Sequence, residues 1–362
     1  MRSLQNILVT GGAGFIGSDF IRALFAECSG FTGRVINLDK LTYAGNAENL
    51  STVEKKFGGT RYFFVQADIC DKKTADFLFS EYDIDTVVHF AAESHVDRSI
   101  LGPEVFLRTN ILGTFTLLQA AKNAWQKADG SIKDGVLFHH ISTDEVYGSL
   151  GTEGSFKETT AYEPRSPYSA SKASSDHFVK AYFYTYGLPV TLSNCSNNYG
   201  PFQFPEKLIP LMILNMLEGK KLPVYGDGKQ IRDWIHVSDH NAAVRLILQS
   251  GKPGETYNIG GENEWENIEL LHKLIEIVCD KAGLNRDTVI QTITHVTDRL
   301  GHDRRYAIDC TKIKKELNWK RQFDFETGLA NTVDWYLKNK AWIDNVRSGE
   351  YRNWIEKNYT KR

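Results

Sequence analysis

Cysteine is scarce in this 362-residue chain and scattered where it occurs: Cys28, Cys70, Cys195, Cys279 and Cys310 are odd in number and never form a C-x-x-C pair. That pattern speaks against a disulfide frame or a cysteine-held zinc site and reads as the reduced thiols of a cytoplasmic protein. No apolar run approaches the roughly 18 residues that span a bilayer. The opening Met1-Arg2-Ser3-Leu4-Gln5-Asn6 passes straight into an apolar stretch without a signal-peptide pattern, so no membrane is expected. The N-x-S/T matches at Asn49, Asn194 and Asn358 carry no weight without a secretory route. Net charge is nearly absent too. With 43 Lys and Arg against 45 Asp and Glu the balance is −2, which argues against a broad basic surface for nucleic acid. No His, Cys and carboxylate spacing suggests a metal. There is no repeat, low-complexity tract or Pro/Ser linker.

What is present is an ordinary globular composition, 41% hydrophobic and 24% charged, with enough apolar material for a sizeable core. The length favours two domains, or one large domain with an appendage. Strand-like runs at 6–9, 34–38, 62–65, 86–90 and 136–141 alternate with helix-like stretches at 15–28, 72–81, 103–126 and 168–186. The runs are almost continuously apolar, as strands buried on both faces of a parallel sheet are. The alternation predicts right-handed βαβ units: an α/β fold, a doubly wound parallel Rossmann sheet with a smaller mixed C-terminal domain. Beyond about residue 190 Pro and Gly punctuate the chain, with further helices expected at 238–249 and 267–282. We read 1–195 as the sheet domain and 196–362 as mainly the second domain, with some segments crossing back.

The first strand runs into Gly11-Gly12-Ala13-Gly14-Phe15-Ile16-Gly17 and then a helix. Missing Cβ atoms permit a tight turn and close approach of a pyrophosphate, which the free N–H groups of the helix start stabilise. A glycine motif alone is weak, and a plain strand-to-helix turn is the bland alternative. Its place at the first βα junction strengthens it. Asp39 follows Gly17 by 22 residues at the end of the next strand, where a carboxylate accepts from the adenosine ribose and repels a 2′-phosphate, favouring NAD over NADP. Lys40 alongside is a cation that would tolerate phosphate. Asp68, before Ile69, is placed to accept from the adenine amino group or to cap the next helix, and the two roles are compatible. Small residues at Ala91 and Ala92 let the backbone approach a flat ligand.

The fifth strand runs into Ser142-Thr143-Asp144-Glu145-Val146-Tyr147-Gly148, and Tyr168-Ser169-Ala170-Ser171-Lys172 follows at a helix start. Tyr168 and Lys172, at i and i+4, share a helix face. A phenol of pKa about 10 is a poor base at neutral pH; a neighbouring ammonium and a cationic nicotinamide ring bring it towards the useful range. A surface helix pair is the ordinary reading of Tyr-x-x-x-Lys, and its place after a glycine loop and a strand-end Thr favours alcohol oxidation by hydride transfer. Adjacent Asp144 and Glu145 add an acid–base pair that simple oxidation does not need. Their ordinary reading is a pair stabilised by a helix N-terminus. His89, His139 and His140 lie in apolar runs and read as core or supporting groups.

These motifs, together with Asp39-Lys40-Leu41-Thr42-Tyr43-Ala44-Gly45, Ala91-Ala92-Glu93-Ser94-His95-Val96-Asp97-Arg98-Ser99, Asn197-Asn198-Tyr199-Gly200-Pro201 and Gly301-His302-Asp303-Arg304-Arg305-Tyr306, cover nearly the whole chain. They resemble the extended short-chain dehydrogenase/reductase family and, within it, those nucleotide-sugar 4,6-dehydratases that act on dTDP-glucose. The resemblance implies an NAD site of Gly11, Gly14, Phe15, Ile16, Gly17, Asp39, Lys40, Leu41, Thr42, Asp68, Ile69, Ala91, Ala92, Ser94, Thr109, Tyr168, Lys172 and Asn198. It implies catalysis by Thr143, Asp144, Glu145, Tyr168 and Lys172. Substrate contacts are implied for Ser94, His95, Thr143, Asn197, Lys207, Leu208, Pro223, Val224, Tyr225, Arg232, Asn267, Arg299, His302, Asp303 and Tyr306. A guanidinium such as that of Arg232 suits a diphosphate because its fork presents paired donors. A homodimer through a four-helix bundle of the 103–126 and 168–186 helices is also implied. Leu300 departs from the family, which usually carries proline there. The remaining alternatives are a 4-epimerase, a dehydratase for another nucleotide, and a non-catalytic NAD-sensing module.

Overall fold

The protein is described by a computed structural model over residues 2–347; the N-x-S/T match at Asn358 lies outside them. Its strands in chain order are β1 (Asn6–Thr10), β2 (Arg34–Asp39), β3 (Tyr62–Gln66), β4 (Thr86–His89), β5 (Leu137–Thr143), β6 (Val190–Cys195), β7 (Asn197–Tyr199), β8 (Leu222–Tyr225), β9 (Ile231–His236), β10 (Thr256–Ile259), β11 (Glu264–Glu266) and β12 (Ile293–Val296). Seven of them form one sheet in the order β10-β6-β5-β4-β1-β2-β3, every pair parallel. Strand order reverses beside β1, so its carboxyl end, with that of β4, opens the crevice where such sheets take ligands.

Most of the apolar runs are buried on both faces, as their composition requires; β3, at the edge of the sheet, is the exception, with only Tyr62 buried. Ile7, Leu8 and Val9 are fully buried, and so is every residue of β5. Helices Phe15–Phe25 and Val237–Ser250 cover one face; Lys72–Tyr82, Thr114–Trp125 and Pro167–Tyr186 cover the other. Helix Val237–Ser250 and strand β10 belong to this sheet although they lie far along the chain. A second apolar core gathers around helices Leu208–Leu217, Asn267–Ala282 and Phe325–Lys338, beside a three-stranded sheet β11-β9-β7 and a pair β12-β8.

The expected helix over 103–126 is not uniform. Glu104–Phe106 leads into a π-helical stretch, Leu107–Gly113, before regular helix resumes at Thr114–Trp125. The widened turn admits an inward Asn110, which exchanges hydrogen bonds with the Glu93 backbone (2.9 and 3.0 Å) and donates to Ser171 Oγ (2.8 Å). Such π-helical turns are rare and often stand at functional sites. Among the described residues no helix is long and apolar enough to cross a membrane, and no group of three His, Cys or carboxylate side chains could hold a metal ion.

Candidate active site

The carboxyl ends of β1 to β6 contribute to one cleft. After β1 come Gly11, Gly14, Phe15, Ile16 and Gly17; β2 brings Asp39, Lys40 and Thr42; β3 brings Asp68 and Ile69; β4 brings Ala91, Ala92 and Ser94. From β5 come Thr143, Asp144 and Glu145, and from the flanking helices Thr109, Tyr168 and Lys172, with Asn198 at the far end. Leu41 is the exception. It does not line the cleft; its backbone turns left-handed (φ +54°) and its N–H donates to Asp39 Oδ1 (2.8 Å), so it shapes the loop instead.

The glycine loop is built for close approach. Gly11 has φ +69°, and a Cβ there would stand 2.6 Å from the Ala91 nitrogen; one on Gly17 would stand 2.4 Å from the Gly11 carbonyl oxygen. Helix Phe15–Phe25 starts at Gly14 without any side-chain cap, so its first N–H groups face the cleft unspent. Asp39 is held by the Ala13 N–H at Oδ2 (2.9 Å) as well as by Leu41, and a carboxylate retains acceptor sites beyond these two. Lys40 pairs with Asp68 (2.9 Å). An uncapped helix start, a close-approach loop and a strand-end carboxylate together fit a dinucleotide.

The catalytic candidates meet where this cleft joins a second one. Thr143 ends β5 and caps the short turn Asp144–Tyr147, accepting from the Glu145 N–H (3.3 Å) and donating to Asp144 Oδ1 (3.4 Å). The Asp-Glu pair thus does open a helical turn, as its ordinary reading had it, and also lines the cleft. Pro167 and a Ser166–Ser169 capping box start helix Pro167–Tyr186, a cap worth about 1 kcal/mol, which fixes Tyr168 in the first turn and Lys172 one turn on. Lys172 Nζ donates to the Ile141 carbonyl (2.7 Å) and lies 3.4 Å from His140 Nε2. Asp176, a further turn along, accepts from Ser142 Oγ (2.8 Å). His89 and His139 sit in the core between Thr10 and Thr114, and between Thr191 and Ser193.

Burial governs the protonation of these groups. It lifts Asp144 well above the usual carboxylate range, with the Glu145 charge adding to it. Glu145 is also raised by burial, against the pull of Arg232. Burial pushes Lys172 down to about 8, opposed by the Asp176 charge, and Asp176 up to about 6. Burial and then the Glu145 charge push the Tyr168 phenol well above 10, while contact with the Thr143 hydroxyl pulls the other way.

The second cleft shares Ser94, Glu145, Asn197, Asn198 and Lys207 with the first and is lined also by His95, Leu208, Pro223, Val224, Tyr225, Arg232, Asn267, Arg299, His302, Asp303 and Tyr306. Arg232 lies over the Tyr306 ring (4.3 Å) and donates to the Asp303 carbonyl (3.0 Å), while the Tyr306 hydroxyl donates to Asp303 Oδ2 (2.6 Å). Arg299 grips Asp97 with two hydrogen bonds (2.9 and 3.1 Å), and the Tyr225 hydroxyl donates to the same carboxylate. Leu300 is 76% exposed and does not line the cleft.

Sequence reasoning passed over Glu206 and Gln203, which line both clefts, and Asp97, Asn110 and Asp176, which hold lining residues in place. Asp176 was within reach, since it repeats the four-residue spacing of Tyr168 and Lys172. Glu206 had no signal beyond standing next to Lys207.

Residues 8–332 match the GDP-mannose 4,6 dehydratase family. The chain is 54% identical over 367 residues to a dTDP-glucose 4,6-dehydratase of Escherichia coli, covering 99% of this chain and 100% of that one. A dTDP-glucose 4,6-dehydratase of Streptomyces venezuelae, solved with NAD bound, superposes with a TM-score of 0.85 at 47% identity, covering 94% and 100% of the two chains. A UDP-glucose 4-epimerase of Thermotoga maritima superposes with a TM-score of 0.80 at 30% identity over 93% and 100%. The likeness thus runs through the sheet, the glycine loop and both clefts, and the chain belongs to the nucleotide-sugar 4,6-dehydratase family of extended short-chain dehydrogenases/reductases.

Proposed function

We propose that this protein converts dTDP-glucose to dTDP-4-keto-6-deoxy-glucose with loss of water, using a bound NAD that is regenerated in each turnover. The observation that carries the reading is the Asp144–Glu145 pair at the junction of the two clefts, beside Thr143 and Tyr168. Oxidation at C4, or epimerisation there, needs a hydroxyl, a phenol and a lysine. Elimination across C5 and C6 needs in addition a base for the C5 proton and an acid for the departing hydroxyl.

In this reading residues 1–195 hold the cofactor and the catalytic groups, and 196–362 mainly hold the nucleotide-sugar. The loop 11–17 and Asp39 would hold NAD, which would supply hydride acceptance from C4 and hydride return to C6. Thr143 holds O4 and Tyr168 takes its proton. The C4 ketone acidifies C5, and Glu145 takes that proton and returns it to C5 when C6 receives the hydride. Asp144, which burial raises well above the usual carboxylate range, gives its proton to O6 as water leaves. Lys172 holds the nicotinamide ribose and adds positive charge near the phenol. Arg232 and Arg299 face the diphosphate, and Tyr225 or Tyr306 packs near the base. Incubation with dTDP-glucose should yield a 4-keto-6-deoxy product, recognised by its absorbance in alkali. Unchanged substrate or a galactose product would refute the reading.

The reading includes a cytoplasmic homodimer. Leu107, Leu112 and Phe115 on one helical stretch and Phe178 and Tyr186 on the next stand exposed, and the Phe115 and Phe178 rings lie 6.3 Å apart. Large apolar side chains so grouped mark an association surface, here one half of a four-helix bundle with a second copy. The double substitution Phe115→Glu with Phe178→Glu should therefore give a monomer in analytical ultracentrifugation, whereas a surviving dimer would place the interface elsewhere.

A further inference from the structure

The glycine loop is pinned from an unexpected direction. The Ala13 carbonyl accepts two hydrogen bonds, from the Asn46 N–H (3.0 Å) and from Asn49 Nδ2 (2.9 Å), while the Ala13 N–H is spent on Asp39. Asn49 lies in the short helical turn Ala47–Leu50, is 3% exposed, and does not line the cleft. Its Oδ1 accepts in turn from the indole N–H of Trp342 (2.7 Å), on helix Lys340–Val346, 293 residues further along the chain. Trp342 is itself wedged against Trp335 and Phe202, with ring centroids 5.0 and 5.8 Å away. Arg22, on the helix that follows the glycine loop, lies over Phe202 and donates to the Asn49 carbonyl (2.9 Å).

We propose that Asn49 is a positioning residue for the pyrophosphate cradle, and that Trp342 of the C-terminal helix sets it. The argument rests on the dinucleotide reading of the cleft. The peptide between Ala13 and Gly14 carries the last carbonyl before the uncapped helix start. Two donors outside the cleft hold that oxygen, and the Gly14 N–H is held by the Gly11 carbonyl (3.2 Å). Were this peptide to rotate, its oxygen would turn towards the position of the pyrophosphate and oppose an anion that the helix N–H groups attract. Asn49 needs its own amide oriented to point Nδ2 at Ala13, and the indole N–H fixes that orientation by occupying Oδ1. Retention of the cofactor thus depends on a helix that touches neither the cofactor cleft nor the substrate cleft.

The test compares NAD release from the intact protein with its affinity for dTDP. Trp342→Phe keeps an aromatic ring and loses the donor; Asn49→Leu keeps the volume and loses both amide atoms. Each should speed NAD release about tenfold, in the range expected for loss of one buried hydrogen bond, and leave dTDP affinity unchanged. Because the two residues act in series, Trp342→Phe should add little to Asn49→Leu. Asn345→Ala removes the contact of the same helix with Glu48 (3.0 Å) and should leave NAD release unaltered. Unaltered release in both variants, additive effects, or equal release from Asn345→Ala would overturn the proposal, the last by showing that helix docking alone matters. A parent protein that takes up no NAD would overturn the dinucleotide reading, and the proposal with it.

Discussion

Tyr168→Phe should lower turnover of dTDP-glucose by about 10³-fold, in the range a positioned acid–base group contributes, and leave NAD bound. The ring is almost wholly buried in the first turn of its helix, and phenylalanine keeps its packing while removing the one atom that faces Thr143. A second readout separates chemistry from structure. Burial and the Glu145 charge hold the phenol well above 10, and a base works only when deprotonated, so C4 oxidation should quicken as pH rises. That rise should vanish in the variant. The measurement is single-turnover reduction of the bound cofactor across a pH series. Normal turnover, or an unchanged pH dependence, would remove Tyr168 from the role of base.

Asp144→Asn should slow the loss of water by about 10²-fold or more and C4 oxidation by only a few-fold, so that an enzyme-bound 4-keto-glucose accumulates with reduced cofactor. The substitution is unusually clean. Burial and the adjacent Glu145 raise Asp144 well above the usual carboxylate range, which favours the proton-carrying form, and asparagine has nearly the same shape. What it removes is a transferable proton. Asp144 is 1% exposed, and its Oδ2 has no hydrogen-bond partner among the described residues, an atom left for something that enters the cleft. Acid quench followed by borodeuteride trapping would show the intermediate. Equal slowing of both steps would make Asp144 a structural residue only.

The two expectations differ in how much of them the chain displays in its order of residues. The glycine loop, Asp39, the strand-end Thr143-Asp144-Glu145 and the Tyr168–Lys172 spacing are all local. Each lies within one βα unit, where strand direction and helix period fix the geometry, and the parallel sheet brings all the strand ends to one edge. Local order therefore sufficed to bring these residues to the lining of one cleft. It failed at Leu41, whose backbone turns left-handed so that the side chain misses the cleft, and at the π-helical stretch that turns Asn110 inward. Backbone irregularities of this kind leave little trace in an apolar pattern.

Protonation was beyond the sequence altogether. Tyr168 beside Lys172 and a nicotinamide charge pointed to a phenol drawn towards the useful range, but burial, which depends on everything packed around the ring, pushes upward and has no signature in the sequence. The same holds for contacts that join distant segments: Asp97 with Arg299, and Trp342 with Asn49 and through it Ala13. By itself, then, the sequence determined the parallel sheet and the strand ends that line the cleft, because periodicity and short spacings encode them. Only the tertiary structure decided which of the lining groups hold a proton and what keeps the cradle in shape. Desolvation and long-range hydrogen bonds come into being when the chain closes on itself.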